Sequence, residues 1–280
     1  MNYFDLHCDT AFELHKRNLP FNNNELSVTA ENDFNTWVQT FAIWISDGTE
    51  NPFELYKKIK KDIKEKLKEK PENLTPIFSV EGGAVLENNI ERIYTLKQDG
   101  IKMLTLTWNG ENAIAGGCKT DKELTRFGKK VIEKLNKLKI ATDLSHLNQK
   151  SFFDAVDNAE YPLATHSNCY EICPNPRNLT LEQIKLITEK HGIIGLTFYP
   201  KFLGENIFPK IYENIFLLCD KGYENHIALG SDFDGGQMDK SLDNIAKIPH
   251  LYDFLKNKGL KKALLNKIFY LNAYNFIAKL

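Results

Sequence analysis

The stretch Phe4-Asp-Leu-His-Cys-Asp-Thr10, FDLHCDT in one-letter code, is a short apolar run that stops on an imidazole, a thiol and a carboxylate. A strand end that only leads into a turn usually finishes on Gly, Asn or Ser. His7 and Asp9 are two apart, and in a strand residues i and i+2 point to the same face. If residues 3–9 form a strand, an imidazole nitrogen and a carboxylate oxygen leave it side by side. That is half of a metal site, and the fold must bring the other half to the same place.

Working outward, strand-like apolar runs recur at 3–9, 38–45, 76–80, 103–107, 140–144, 162–165, 193–198 and 227–230. Most are continuous rather than alternating, as expected for parallel strands buried on both faces. Helical periodicity lies between most of them. Residues 53–70 carry Leu55, Ile59, Ile63 and Leu67 on one stripe, and Leu124, Phe127, Val131 and Leu135 form another. Thr180-Leu-Glu-Gln183 reads as a capping box, with Gly192 ending that helix at its C′ position. Residues 260–280 read as a closing helical segment. Eight strands with intervening helices predict α/β architecture: a single (β/α)₈ TIM-type barrel domain over residues 1–280, with its chemistry at the C-terminal ends of the strands.

The composition agrees. A length of 280 residues suits one large barrel, and 42% hydrophobic residues can fill its core. The formal net charge of −1 argues against nucleic acid or an anionic membrane surface as partner. The start, MNYFDLHCDT, has no basic n-region and no long apolar segment, so no secretory signal is expected. No apolar run reaches bilayer length, and the reading is cytoplasmic. The five cysteines are odd in number and scattered, which argues for reduced thiols rather than a disulfide framework.

If the barrel reading holds, unusual polar residues should gather where the strands stop. The first run ends in His7-Cys8-Asp9, the third in Ser79-Val-Glu81-Gly-Gly, the fifth in Asp143-Leu-Ser-His146, the sixth in Thr165-His166-Ser-Asn, and the eighth in Gly230-Ser-Asp232-Phe-Asp-Gly-Gly236. Each residue alone has a plain structural reading: a hydrogen-bonded loop histidine, a turn glutamate, or Asp232 as a helix cap. Together, three imidazoles and two carboxylates from different strands would face one mouth, where burying them without a cation is costly. His7, Asp9, Glu81, His146 and His166 exceed the three protein ligands of a usual catalytic zinc. They suit two divalent ions about 3.5–4 Å apart with Glu81 shared and a hydroxide between them. His15, His191, His226 and His250 are read as structural, with His191 in a last helical turn where the dipole favours it.

The motifs DLHCDT, SVEGG, LTLTWNGEN, DLSH, THSN, the Pro176-Arg177-Asn178-Leu179 stretch and GSDFDGG follow one another in this order. Together they resemble the membrane (renal-type) dipeptidase family, a branch of the amidohydrolase-like metal-dependent barrels, over nearly the whole chain. The resemblance implies that His7 and Asp9 bind one zinc, that Glu81 bridges, and that His146 and His166 bind the second. It implies that Arg177 grips the substrate's C-terminal carboxylate, for which a planar guanidinium is suited. Asp232 would be the acid/base that handles the proton of the attacking water. Where mammalian members carry a histidine that helps hold the oxyanion of the tetrahedral intermediate, after the LTLT strand, this chain has Trp108, a substrate-binding candidate whose indole offers one N–H donor and no titration.

The implied activity is hydrolysis of a dipeptide by a metal-bridging hydroxide, with tolerance of a C-terminal D-residue. Zinc is the expected metal, though imidazole and carboxylate ligands do not separate it from cobalt or manganese. A homodimer is the assembly that the resemblance suggests. Three other readings stand beside it: a different amidohydrolase acting on a cyclic amide, lactone or N-acyl amino acid, a barrel that binds metal or peptide without turnover, and a structural or interaction protein whose polar strand ends are coincidence.

Overall fold

In the computed structural model, which describes residues 1–280, eight parallel strands close into a barrel in sequence order. They are β1 (Asn2–Cys8), β2 (Thr36–Trp44), β3 (Leu74–Glu81), β4 (Ile101–Thr105), β5 (Ala141–Asp143), β6 (Pro162–Ala164), β7 (Ile193–Leu196) and β8 (Ile227–Leu229). The ring closes where Asp5 of β1 pairs with Leu229 of β8. All eight expected strands are present, with no end shifted by more than two residues. The strands β5 to β8 are only three or four residues long, because their polar C-terminal ends leave the ladder early.

The first six strands are each followed by a helix: α1 (Thr10–Lys16), α2 (Pro52–Lys66), α3 (Arg92–Gln98), α4 (Arg126–Lys137), α5 (Gln149–Asn158) and α6 (Leu181–Glu189). After β7 come α7 (Pro200–Leu203) and α8 (Ile207–Asp220), and after β8 come α9 (Ile248–Asn257), α10 (Lys262–Asn266) and α11 (Asn272–Ile277). The apolar stripes are the buried faces: Tyr56, Ile59 and Ile63 in α2, and Val131, Ile132 and Leu135 in α4. Each fully buried side chain of this kind contributes about 1.5–3 kcal/mol. The stripe expected to start at Leu124 begins later, since Thr125 caps α4 by accepting a hydrogen bond from the Gly128 amide at 2.9 Å. The run expected to reach residue 70 leaves the α-helix after Lys66 and finishes in a 3₁₀ turn.

The capping box of α6 is reciprocal. The Gln183 amide donates to Thr180 Oγ1 at 3.3 Å, and the Thr180 amide donates to Gln183 Oε1 at 2.9 Å. Its other end differs from the sequence reading. The left-handed residue is His191, at φ 57°, so His191 lies beyond the helix rather than in its last turn. Gly192 serves close approach instead: a Cβ there would lie 2.3 Å from the Pro162 carbonyl oxygen.

The two mouths of the barrel are finished differently. At the lower mouth, Phe4, Leu6, Val38, Met103, Ala141, Leu163, Ile193 and Ala228 form an apolar cluster with Ala273, Phe276 and Ile277 of α11. A π-helical turn, Lys267–Leu271, joins α10 to α11. Asn272 follows it and donates to the carbonyls of Glu224 and Ile227, at 3.0 and 2.7 Å. At the upper mouth the same strands end on ionisable residues. No helix is long and apolar enough to cross a membrane.

Candidate metal centre

The ends of β1 and β8 build one side of the site. Beyond the last regular pair, the Asp232 amide donates to the His7 carbonyl at 3.1 Å and the Asp9 amide to the Phe233 carbonyl at 2.8 Å. His7 Nε2 then lies 3.6 Å from Asp9 Oδ2 and 3.9 Å from Asp232 Oδ1. The proximity of His7 and Asp9 expected from strand alternation is present, but its cause is different. Strand β1 ends at Cys8, and its register against β2 shifts between Asp5 and Cys8. Asp9 reaches His7 from the turn into α1, at φ −93° and ψ 7°.

Glu81, the last residue of β3, stands at the centre. Its Oε2 lies 3.6 Å from His7 Nε2, while its Oε1 lies 2.6 Å from His146 Nε2 and 3.5 Å from His166 Nε2. The two oxygens of one carboxylate thus face different imidazoles. His146 and His166, at the ends of β5 and β6, face each other through their Nε2 atoms at 2.9 Å. His7, Glu81 and His166 bring ligand atoms within 4.8 Å of one another, as do His7, Asp9 and Asp232. His146 and Asp232 both adopt left-handed backbone, at φ 71° and 64°. Non-glycine residues take that conformation at a cost, which the surrounding structure sustains at both positions.

Burial and crowding of charges in this cluster displace its titrations in a way that a divalent cation would relieve. Burial alone would push the Glu81 carboxyl up, but His7 and His146 pull it well below the usual range. Burial disfavours a charged His7, yet Glu81 and Asp9 raise its pKa well above that of a free imidazole. Burial, then the Glu81 charge, pushes Asp9 up to about 7. His146 is pushed down to about 4 by burial and then by Arg177, and His166 is also held well down by burial. His7 Nε2 is fully buried without any hydrogen-bond partner. Three imidazoles and three carboxylates gathered around an orphaned nitrogen fit a divalent ion, which would displace the proton that His7 and Asp9 otherwise hold.

The site opens into a cavity of about 630 Å³. Arg177 lines it and is only 5% exposed. Its Nη2 donates to the His166 carbonyl at 3.3 Å, but its Nε has no partner. Trp108 lies across the cavity, its ring 6.4 Å from that of His146 and 5.2 Å from Trp44. The structure therefore brings all eight residues singled out in the sequence to one cavity or its floor.

Sequence reasoning missed the walls. Phe12 packs edge-on against Trp44 at 4.8 Å, and Tyr199 and Phe202 line the side near Arg177. Asp47, after β2, accepts from the Gly110 amide at 3.0 Å and from Asn112 at 3.1 Å, holding the loop that carries Trp108. Gly235 is also part of the design, since a Cβ there would lie 2.4 Å from Asp9 Oδ2 and 2.7 Å from Asp232 Oδ1. The GG of GSDFDGG was the available signal for it.

Comparisons with known proteins identify the family. A family model described as membrane dipeptidase, peptidase family M19, matches residues 39–279. The chain belongs to the membrane dipeptidase family. Membership places it among the metallopeptidases, so a divalent metal is expected at the site. The chain is 31% identical over 215 residues, 71% of its own length, to a Klebsiella pneumoniae protein described only as an uncharacterized protein in the pqqA 5′ region, of which the match covers 79%. It is 31% identical over 58% of its length to an uncharacterized dipeptidase of Schizosaccharomyces pombe, of which it covers 42%. The fold is shared with a metallopeptidase of Rhodobacter sphaeroides liganded with a phosphinate mimic of the dipeptide L-Ala-D-Ala. The TM-score is 0.84 with 21% identity, over 99% of both chains. A structure described as dipeptidase AC superposes with a TM-score of 0.90 at 22% identity, over 99% of this chain and 98% of that one.

Proposed function

We propose that this member of the family is a dipeptidase that uses two divalent ions, with zinc the expected metal, within one barrel domain spanning residues 1–280. The observation that carries the reading is the pairing of two features in one cavity: a Glu81 carboxylate whose oxygens face different imidazoles, and a buried Arg177 with an unpartnered guanidinium nitrogen. The first suits two ions sharing a carboxylate. The second suits a substrate that ends in a carboxylate.

In this reading His7 and Asp9 would hold one ion and His146 and His166 the other, with Glu81 available to both. When bound, such ions polarise the scissile carbonyl and make a water easier to deprotonate. The chain's own residues do the rest. Arg177 binds the C-terminal carboxylate by charge-assisted hydrogen bonds and limits substrate length on that side. Asp232 takes the proton of the attacking water and returns it to the leaving amine. Its carboxyl is raised by burial and lowered by His7, with a net upward shift that suits proton transfer nearer neutral pH. The indole of Trp108 offers a donor at the cavity wall and helps exclude water. A C-terminal D-residue is an accepted substrate feature in this proposal, and the mimic of L-Ala-D-Ala bound by the Rhodobacter protein is consistent with it.

The test is metal content by elemental analysis together with a panel of L,L and L,D dipeptides assayed before and after chelation. About two ions per chain, with hydrolysis lost on chelation and lost in Arg177→Ala, is the expected result. Two ions without hydrolysis of any dipeptide would move the protein to a metal-binding or peptide-binding role. Activity on cyclic amides or lactones that survives Arg177→Ala would favour the other amidohydrolase reading.

A further inference from the structure

The imidazoles at the site reach it through Nε2, which requires the proton of each neutral ring to sit on Nδ1. What holds that proton differs between rings. His166 Nδ1 lies 2.8 Å from the hydroxyl oxygen of Thr165, its neighbour in the chain. His7 Nδ1 lies 3.5 Å from the same oxygen, and the His7 and His166 rings lie with centroids 3.8 Å apart, tilted by 32°. Thr165 Oγ1 therefore stands behind two of the three rings.

That hydroxyl is itself committed. It donates to Asp143 Oδ2 at 2.7 Å, and Thr105 Oγ1 donates to the same oxygen at 2.6 Å. The other oxygen, Asp143 Oδ1, accepts from the amides of Ser145 and Thr165, each at 3.0 Å. Asp143 is fully buried, and it reaches Thr165 because it pairs with Leu163 across the β5–β6 ladder. With its only proton given to Asp143, Thr165 can act toward His166 only as acceptor. His166 must then donate from Nδ1, and its Nε2 lone pair is left facing Glu81 and His146. By contrast, His146 Nδ1 faces Asn109 Oδ1 at 3.0 Å, on a loop at the cavity wall.

We propose that Thr165, held by Asp143, is a positioning residue that locks the tautomer and orientation of His166 for metal binding. Neither Asp143 nor Thr165 lines the cavity. They act through His166, as outer partners of metal-binding histidines commonly do. The inference rests on the metal-site reading above but not on the reaction catalysed.

Two measurements test it. Long-range ¹H–¹⁵N spectra of the metal-free wild-type protein, with His166 assigned from a His166→Gln sample, should show His166 protonated at Nδ1. Protonation at Nε2 overturns the proposal and needs no variant to fold. In the second, zinc affinity is measured by chelator competition for wild type, Thr165→Val and Thr165→Ser. Thr165→Val keeps the shape and loses the hydroxyl, and should weaken one ion by about 10–100-fold. Thr165→Ser keeps the hydroxyl and should retain wild-type affinity. Wild-type affinity in Thr165→Val, or equal losses in both variants, overturns the proposal, since the methyl group rather than the hydroxyl would then matter. Hydrolysis is read in neither arm, so failure of the peptidase reading is scored separately.

Discussion

The upper and lower mouths of the barrel are made by the same eight strands, yet they are chemical opposites. Below, Phe4, Leu6, Val38, Met103 and their neighbours pack against Phe276 and Ile277 in an apolar cluster. Above, three imidazoles, three carboxylates and a guanidinium are buried within one cavity floor, with His7 Nε2 and Arg177 Nε unpartnered. The lower mouth lowers the free energy of the fold by removing apolar surface from water. The upper mouth raises it by desolvating charges, and only a ligand can offset that cost. Stability and function are thus separated along the barrel axis, as the fold allows.

The sharpest way to break this contrast is to remove the metal. Exhaustive chelation should abolish dipeptide hydrolysis while far-UV circular dichroism stays native, because the lower cluster does not depend on an ion. Unfolding on chelation would show that the upper mouth carries the fold as well.

A second variant separates chemistry from stability within the upper mouth. Asp232→Asn should lower kcat by about 10²–10⁴-fold if Asp232 shuttles the proton. Its Tm should hold or rise, since Asn tolerates the left-handed backbone at φ 64° and carries no buried charge. A matching loss of Tm would place Asp232 in the structural half of the comparison.

The reverse case is Phe276→Ala at the lower mouth. Truncating a buried aromatic should cost about 3–5 kcal/mol, read by denaturant unfolding, with turnover per folded molecule unchanged. A large fall in kcat at constant Tm would contradict the separation.

The smallest expected effect lies outside both mouths. Lys60 on α2 is buried without a hydrogen-bond partner, its Nζ 3.2 Å from the centre of the Phe78 ring. Burial lowers its pKa to about 8, so between pH 8 and its unfolded value the unfolded chain binds more protons. Wild-type stability from this group therefore increases as pH rises through that window. Lys60→Met should raise Tm modestly at pH 7 and by progressively less toward pH 10. A gain that does not shrink with pH would assign the effect to packing rather than charge.

Part of this molecule was legible without coordinates because the relevant signals are local. A continuous apolar run such as 103–107 reads as a buried parallel strand wherever it sits. The Thr180–Gln183 box is complete within four residues. The ligand candidates stood out because imidazoles and carboxylates are rare at the ends of such runs. Other features depend on partners far away in the chain. Nothing near Asp143 marks it as the acceptor for Thr165, whose hydroxyl arrives from the next strand. Nothing near Asp47 marks it as the anchor of Gly110, or Phe12 as a neighbour of Trp44. His191 was misplaced for a different reason, since a left-handed residue before a glycine is set by how closely Gly192 must approach Pro162.

The amino-acid sequence by itself determined the eight-fold alternation, the identity of the ionisable groups and the strand ends on which they lie. Those follow from hydrophobic period and residue chemistry, which are properties of short segments. Only the tertiary structure decided which oxygen of Glu81 faces which imidazole, that His7 Nε2 and Arg177 Nε lack partners, and that one threonine stands behind two histidine rings. Those depend on barrel closure and strand register, through which residues more than a hundred positions apart come within hydrogen-bond distance.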